Sequence, residues 1–407
     1  MVWKIILMVL NIPLVLYSAY FLVFFLVGIF RKKQIYSDTE KRTHFAVLIP
    51  ARNEESVIAT LMDSIEKLDY PKDCFDTYVL LHNCTDNTEE IVQSYGARTI
   101  RRGAEMKTKG EVLKSVFDEL NEHEEIDAYV IIDADNAISP NFLTEVNKAV
   151  VGGAQVIQGR RTGRNSRNTW VAGCYEIYYR MQNAFYNRPR IGIRCSAAVN
   201  GSGWAVTKDV IQMNGFDVKT IAEDIEYTSI CALDGLRITY LSNAISADQF
   251  VSHLRLSMTQ RVRWTYGMFQ CIRLYEGKLL RQAFRGSFEA LDLSLVNLML
   301  ISTFYSLILI PTGFLSLWEF FPLQEWLSIP LWAWFLIYLV VGVVGYYIFT
   351  CFAGLLSVLL TRGNVRENLK GIFGFPVFLV TWIPVIVYCL FKRRVDWKPM
   401  RSKAGSR

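Results

Sequence analysis

Apolar and polar positions are spread unevenly along this 407-residue chain. Residues 5–30 run without a charged side chain, and about 20 such residues span a bilayer core. The run is longer than the roughly 7–15-residue apolar stretch of a secretory signal. A polar, acid-rich middle follows, and three more apolar runs occupy about 293–317, 332–360 and 371–391. The pattern predicts a soluble domain between membrane segments. Its divisions are an N-terminal transmembrane helix over 1–33, the domain over 40–274, an interfacial helix over 275–292, a C-terminal transmembrane region over 293–391 and a basic tail over 392–407. An ordinary linker helix is the other reading of 276–291, which mixes basic and apolar residues.

Inside the middle region, short β-rich runs alternate with helical spacing. Strands are predicted at 45–50, 78–81 and 129–132, and helices at 54–68, 88–95 and 110–120. Such alternation implies an α/β domain with a mostly parallel sheet covered on both faces. Ligands of such sheets gather at the carboxyl ends of the strands. Three polar clusters fall there: 51–55, 82–86 and 133–135.

Composition sharpens the picture. Hydrophobic residues make up 52%, little above the roughly 45–50% of soluble domains, so the apolar excess belongs to the two ends. The net charge is +6, and much of it sits beside apolar runs, at Arg31, Lys32 and Lys33 and again at Lys392, Arg393 and Arg394. That placement suits a lipid bilayer with anionic headgroups. By the positive-inside rule it predicts a multi-pass protein of the cell membrane with its middle domain in the cytoplasm. No basic stripe is interleaved with aromatics, so nucleic acid is not an expected partner. Eight cysteines without a C-x-x-C pair fit a reducing compartment. One conflict remains, because three spans after the domain would leave the basic tail outside. Pro376 and Pro384 allow the last run to be bent, re-entrant or interfacial.

Three clusters carry candidate chemistry. Asp133-Ala134-Asp135 offers two carboxylates at a strand mouth, a donor set suited to Mg²⁺ or Mn²⁺ facing a diphosphate. Glu223-Asp224 begins a helical stretch, where acidic residues act either as helix-dipole partners or as a general base. Gln260, Arg263, Trp264 and Gly267 share one helix face, combining an amide, a fixed cation and a flat indole for sugar stacking. A snorkelling arginine beside a membrane is the alternative for that helix.

In this order, and flanked by apolar spans, the clusters resemble those of the inverting family-2 glycosyltransferases. The resemblance is to the branch that contains hyaluronan, cellulose and poly-N-acetylglucosamine synthases. It implies a GT-A (Rossmann-like) fold and a UDP-sugar donor. It also implies roles by position. Pro50, Asn53, Glu54 and His82 would line the nucleotide pocket, Lys109 and Arg263 would approach the diphosphate, and Asp133 would contact the nucleotide. Asp135 would hold the metal. Asp224 would be the base, and Gly201, Ser202, Glu223, Gln260 and Trp264 would form the acceptor side, with Asn200 and Gly203 in the loop beneath it. His82 departs from the pattern, which commonly has an acidic residue just before N-C-T-D; either the base contact differs or Asp86 assists. The preferred expectation is a processive polysaccharide synthase. A single transfer to a membrane lipid is the alternative, and a non-catalytic membrane partner is the alternative of another class.

Overall fold

The protein is described here by a computed structural model covering residues 2–30, 35–193, 195–298, 313–315 and 330–392. The Arg31, Lys32 and Lys33 cluster, most of the 293–317 run, the loop from Trp318 and the tail after Lys392 lie outside the described residues.

The strands are β1 (Phe45–Ala51), β2 (Phe75–His82), β3 (Arg98–Arg102), β4 (Ala128–Ile131), β5 (Ala137–Ile138), β6 (Val156–Gly163), β7 (Trp204–Thr207) and β8 (Ile238–Asp248). They form one sheet in the order β3-β2-β1-β4-β7-β6-β8-β5. The half from β3 to β4 is parallel, as the alternating pattern predicts. Beyond β4 the sheet is mixed, since β7 runs antiparallel to both β4 and β6, β5 is antiparallel to β8, and only β6 and β8 are parallel. The expectation of a mostly parallel sheet therefore holds for one half only. β7 is reached not through a simple strand–helix–strand crossover but after a long excursion through helices Trp170–Met181 and Arg188–Gly192.

Both faces of the sheet are covered, and β1 shows why its sequence is apolar throughout. Phe45, Val47 and Ile49 enter the core under helices Ile58–Glu66 and Phe142–Val151. Ala46 and Leu48 face the opposite core, under helices Lys109–Leu120, Lys208–Asn214 and Glu223–Asp234. A strand buried on both sides has no polar positions to alternate. The helix predicted from residue 54 starts at Ile58, because Asn53 has φ 58° and residues 54–57 turn, with Val57 N–H bonding to the Glu54 carbonyl.

Apolar elements flank this domain. The N-terminal helix is Val2–Phe30. Two described segments, Leu331–Leu360 and Val365–Phe391, are long and apolar enough to cross a membrane. On Leu331–Leu360 the side chains of Val340, Val341, Val343, Val344, Ile348 and Phe349 are exposed. The second segment is divided at Thr381 into helices Val365–Val380 and Trp382–Phe391, and Pro376 lies inside the first of these.

Helix Val365–Val380 packs closely on helix Trp170–Met181 of the domain. A Cβ on Gly371 would lie 2.4 Å from the Gly173 carbonyl oxygen and 3.0 Å from Ile177 Cγ1. Glycines at both positions let the backbones touch. Gly371→Val is therefore expected to cost about 1–3 kcal/mol through overpacking, read as a lowered thermal midpoint in detergent. An unchanged midpoint would contradict this contact.

Candidate active site

The site lies at the carboxyl ends of β1, β2 and β4. The loops after β1 and β2 are tied together by polar side chains. Asn53 Oδ1 accepts the Thr85 N–H at 2.8 Å, and Glu54 N–H donates to Thr88 Oγ1 at 2.8 Å. Asp86 accepts from Thr88 Oγ1 at 2.6 Å and from the Glu55 N–H at 3.2 Å. Asp86 thereby helps to hold the two loops together. His82 is buried at the end of β2, its Nε2 lying 2.7 Å from the Met106 carbonyl oxygen. That spacing fits the tautomer in which Nε2 donates. Burial lowers its pKa, so the ring is neutral at pH 7.

Lys109 is the hinge of the arrangement. It opens helix Lys109–Leu120, capped by Thr108 Oγ1, which accepts the Glu111 N–H. Its Nζ donates to Asp133 Oδ1 at 2.6 Å and to the Gly201 carbonyl at 2.7 Å, and pairs with Glu223 Oε1 at 3.0 Å. Burial works against this cation, but Asp133 and Glu223 outweigh it and raise its pKa. One ammonium thus joins the D-x-D strand end, the 200–203 loop and the Glu223 helix. Gly110 completes the junction, since a Cβ there would lie 2.4 Å from Val218 Cγ2 and 3.2 Å from Glu223 Cβ.

The 200–203 loop is built from below. Gly201 and Gly203 have φ of 72° and 68°, a region costly for other residues. Ser202 is fully buried, and its Oγ accepts the Asp133 N–H at 2.9 Å and Asn136 Nδ2 at 2.6 Å. Ser202 thus supports Asp133 from beneath; the resemblance placed it on the acceptor side. Glu223 likewise spends a carboxylate oxygen on Lys109.

Asp224 is half-buried. Its Oδ1 accepts the Ile225 N–H at 2.9 Å, and its Oδ2 lies 3.4 Å from where a Gly201 Cβ would stand. Burial and Glu223 push its pKa up to about 6, against the opposing pull of Lys109. Asp135 is pushed up to about 7 by burial and by Asp133 and Asp248, and Glu54 to about 8 by burial and by Asp135 and Asp133. This surplus of buried negative charge suits a divalent cation. Among the described residues no three His, Cys, Asp or Glu side chains form a complete cage. An incomplete carboxylate set fits a hard cation that completes its shell with phosphate oxygens and water.

Gln260, Arg263 and Trp264 lie on helix Leu254–Phe284, all half-buried. The helix continues unbroken past residue 274, so the expected division between domain and interfacial helix falls within one helix, and the chain breaks instead at Arg285 and Gly286 before helix Phe288–Asn297. Gly267 brings this helix against the start of the Glu223 helix, for a Cβ there would be 2.4 Å from Ala222 Cβ. Trp264 meets Tyr175 edge-on at 6.0 Å, and Tyr175 meets Phe378 at 5.2 Å. Trp264 thus adjoins the aromatic cluster that Val358, Ile372, Phe375 and Phe378 of the apolar segments share with the domain.

Several site residues escape the sequence reading. Glu226 is fully buried, accepting the Lys219 and Thr220 N–H groups at 2.7 and 2.6 Å and the Tyr275 hydroxyl at 2.6 Å. It fixes the approach to the Glu223 helix. Gln158 holds the loop by donating to the Ser202 carbonyl at 3.0 Å and accepting the Asn200 N–H at 2.8 Å. Arg161 and Asp248 pair beside it. Polar residues within the strand run VIQGRRTG (156–163) were the available signal.

The fold, a mixed α/β sheet with its polar cluster at the strand ends, is of the GT-A type. Residues 42–267 match the model described as glycosyltransferase like family 2, and the chain belongs to that family. It is 25% identical over 383 residues to the probable glycosyltransferase YdaM of Bacillus subtilis, covering 86% of this chain and 85% of that protein. Over 377 residues it is 24% identical to the beta-monoglucosyldiacylglycerol synthase of Synechocystis, covering 88% of this chain and 73% of that one. The corresponding Nostoc synthase is 24% identical over 235 residues, about half its length (49%) and 55% of this chain. Among solved structures, mannosyltransferase PcManGT of Pyrobaculum calidifontis, in complex with GDP-Man and Mn²⁺, superposes with a TM-score of 0.51 at 16% identity, covering 83% of this chain and 98% of that one.

Proposed function

We propose that the protein is an inverting, UDP-sugar-dependent glycosyltransferase that passes a single sugar to a lipid hydroxyl at a membrane surface. The observation that carries the chemistry is the convergence of Lys109, Asp133, Gly201 and Glu223 beside Asp224, whose Oδ2 faces the same loop. The lipid acceptor is supported by the Synechocystis relative, which matches most of the chain and is named for a glucosyldiacylglycerol product. The position of Trp264 against the apolar helices also supports it, because an acceptor sitting there would have its apolar part beside lipid-facing helices. Processive synthesis, as in the hyaluronan and cellulose synthase branch, is the second reading, favoured by the apolar segments after the domain.

In this account Asp224 takes the proton from the acceptor hydroxyl while that oxygen attacks the anomeric carbon. The bond to the diphosphate breaks on the opposite face, so an α-linked donor gives a β-linked product. Pro50, Glu54, His82 and Asp133 line the nucleotide side, and Lys109 and Arg263 balance the charge of the leaving diphosphate. Gly201, Glu223, Gln260 and Trp264 shape the acceptor side. A divalent cation, Mg²⁺ or Mn²⁺, held at Asp135 would supply Lewis-acid neutralisation of the diphosphate. Because Asp224 must be ionised, kcat/KM should fall about tenfold per pH unit below about pH 6 and level off above it. A profile flat through that range would exclude Asp224 as the base.

The acceptor class is tested by incubating the purified protein with a radiolabelled UDP-sugar, Mn²⁺ and a bacterial lipid extract. Label moving to the organic phase as one small product supports the proposal. A long, polydisperse, water-soluble product would establish the processive reading instead.

A further inference from the structure

Arg161 lies on β6 immediately beneath the acceptor loop. Its guanidinium donates to the Asn200 carbonyl and pairs with Asp248. It also stacks 4.5 Å from the centre of the Tyr179 ring, and its side chain is mostly buried. A cation so enclosed is more than a surface charge, because burying it requires partners. Its placement relative to the base is the telling point. A Cβ on Gly201 would have Arg161 Nη1 at 3.2 Å and Asp224 Oδ2 at 3.4 Å. The two side chains thus both reach the same loop glycine, each within 3.4 Å of the place a Cβ there would take.

We infer that Arg161 is a positioning residue for the transfer reaction: held by Asp248, it fixes the Asn200-Gly201 loop and, with Lys109, sets the charge environment of Asp224. The inference rests on Asp224 being the base. The titratable groups that interact electrostatically with Asp224 include Glu223 on its own helix, Lys109, Arg161 on β6, Tyr178 on helix Trp170–Met181 and Cys271 on helix Leu254–Phe284. Of these only Lys109 and Arg161 are cations, and both favour the ionised carboxylate. Lys109 is shared with Asp133 and Glu223; Arg161 forms its direct ion pair with Asp248, and it also feels the charge of Asp133 and acts on Asp135. Asp248 therefore tempers how strongly Arg161 acts on the base.

This gives two variants with opposite expected signs. Arg161→Gln removes the cation, so the acidic limb of the kcat/KM profile should move to higher pH. Activity near pH 6 should then drop about tenfold or more, with partial recovery near pH 8. Asp248→Asn leaves Arg161 less neutralised, so the limb should move to lower pH. Arg161→Lys should keep the limb near its original place while raising acceptor KM, because the charge remains but the forked contact to Asn200 and Asp248 is lost. UDP binding, measured separately with Mn²⁺, should stay within about twofold in Arg161→Gln. Opposite limb shifts support the inference. Loss of rate equal at every pH, or limbs that move the same way in Arg161→Gln and Asp248→Asn, would reduce Arg161 to a structural support and overturn it. Asp224→Asn run alongside separates the two claims: if it retains turnover, the base assignment itself has failed, whereas an inactive Asp224→Asn with an unmoved Arg161→Gln limb defeats this inference alone.

Discussion

Asp224→Asn is expected to reduce turnover by about 10²–10⁴-fold while UDP affinity stays near that of the wild-type protein. The asparagine keeps the shape and can still accept the Ile225 N–H that Oδ1 takes at 2.9 Å. It loses only the ability to take a proton. Lys109 bonds to Asp133, Gly201 and Glu223, not to Asp224, so the donor side keeps its cation. Turnover under saturating donor, with UDP binding measured on the same preparation, checks this. Retained turnover in a protein that still binds UDP would remove Asp224 from the mechanism.

Lys109→Met should behave differently, because it strikes stability and donor binding together. Its ammonium is the shared partner of two carboxylates and a carbonyl, and methionine fills much of the space without satisfying any of them. Breaking the arrangement leaves Asp133, a third exposed, and the largely buried Glu223 without their shared cation, at a cost of up to about 3 kcal/mol. A lower thermal midpoint, weaker UDP binding and a turnover loss of at least about 10²-fold are expected together. Wild-type UDP affinity in Lys109→Met would mean that this lysine serves the loop junction alone.

The contrast between these residues shows what the sequence disclosed. β1, β4 and the 78–82 stretch of β2 were legible because each is buried on both faces and so reads as an apolar run leading into polar residues, whereas Asp76 and Thr77 at the start of β2 are half-buried and hid its first part. The D-x-D and E-D pairs were legible because carboxylates beside a strand end or a helix start need a reason to be there. The second half of the sheet was not. β6 carries Gln158 and Arg161, which look like loop residues until the folded loop at 200–203 and Asp248 supply their partners. Glu226 was equally silent, because its three partners come from residues 219, 220 and 275, and no local pattern connects them. The face shared by Gln260, Arg263, Trp264 and Gly267 followed from helical spacing, but what Gly267 touches, Ala222, is a matter of tertiary packing. The last apolar run read as bent or interfacial on account of its prolines; the structure divides it at Thr381 and lays its first helix along helix Trp170–Met181.

Release of UDP by the detergent-purified full chain is the most direct test of the account, with each common UDP-sugar supplied in turn together with Mn²⁺ or Mg²⁺ and lipid acceptor. Release from at least one donor is expected, abolished by chelating the metal and by Asp224→Asn. Folded protein that releases no UDP from any of these donors, or that releases it equally well with the metal chelated, would contradict it.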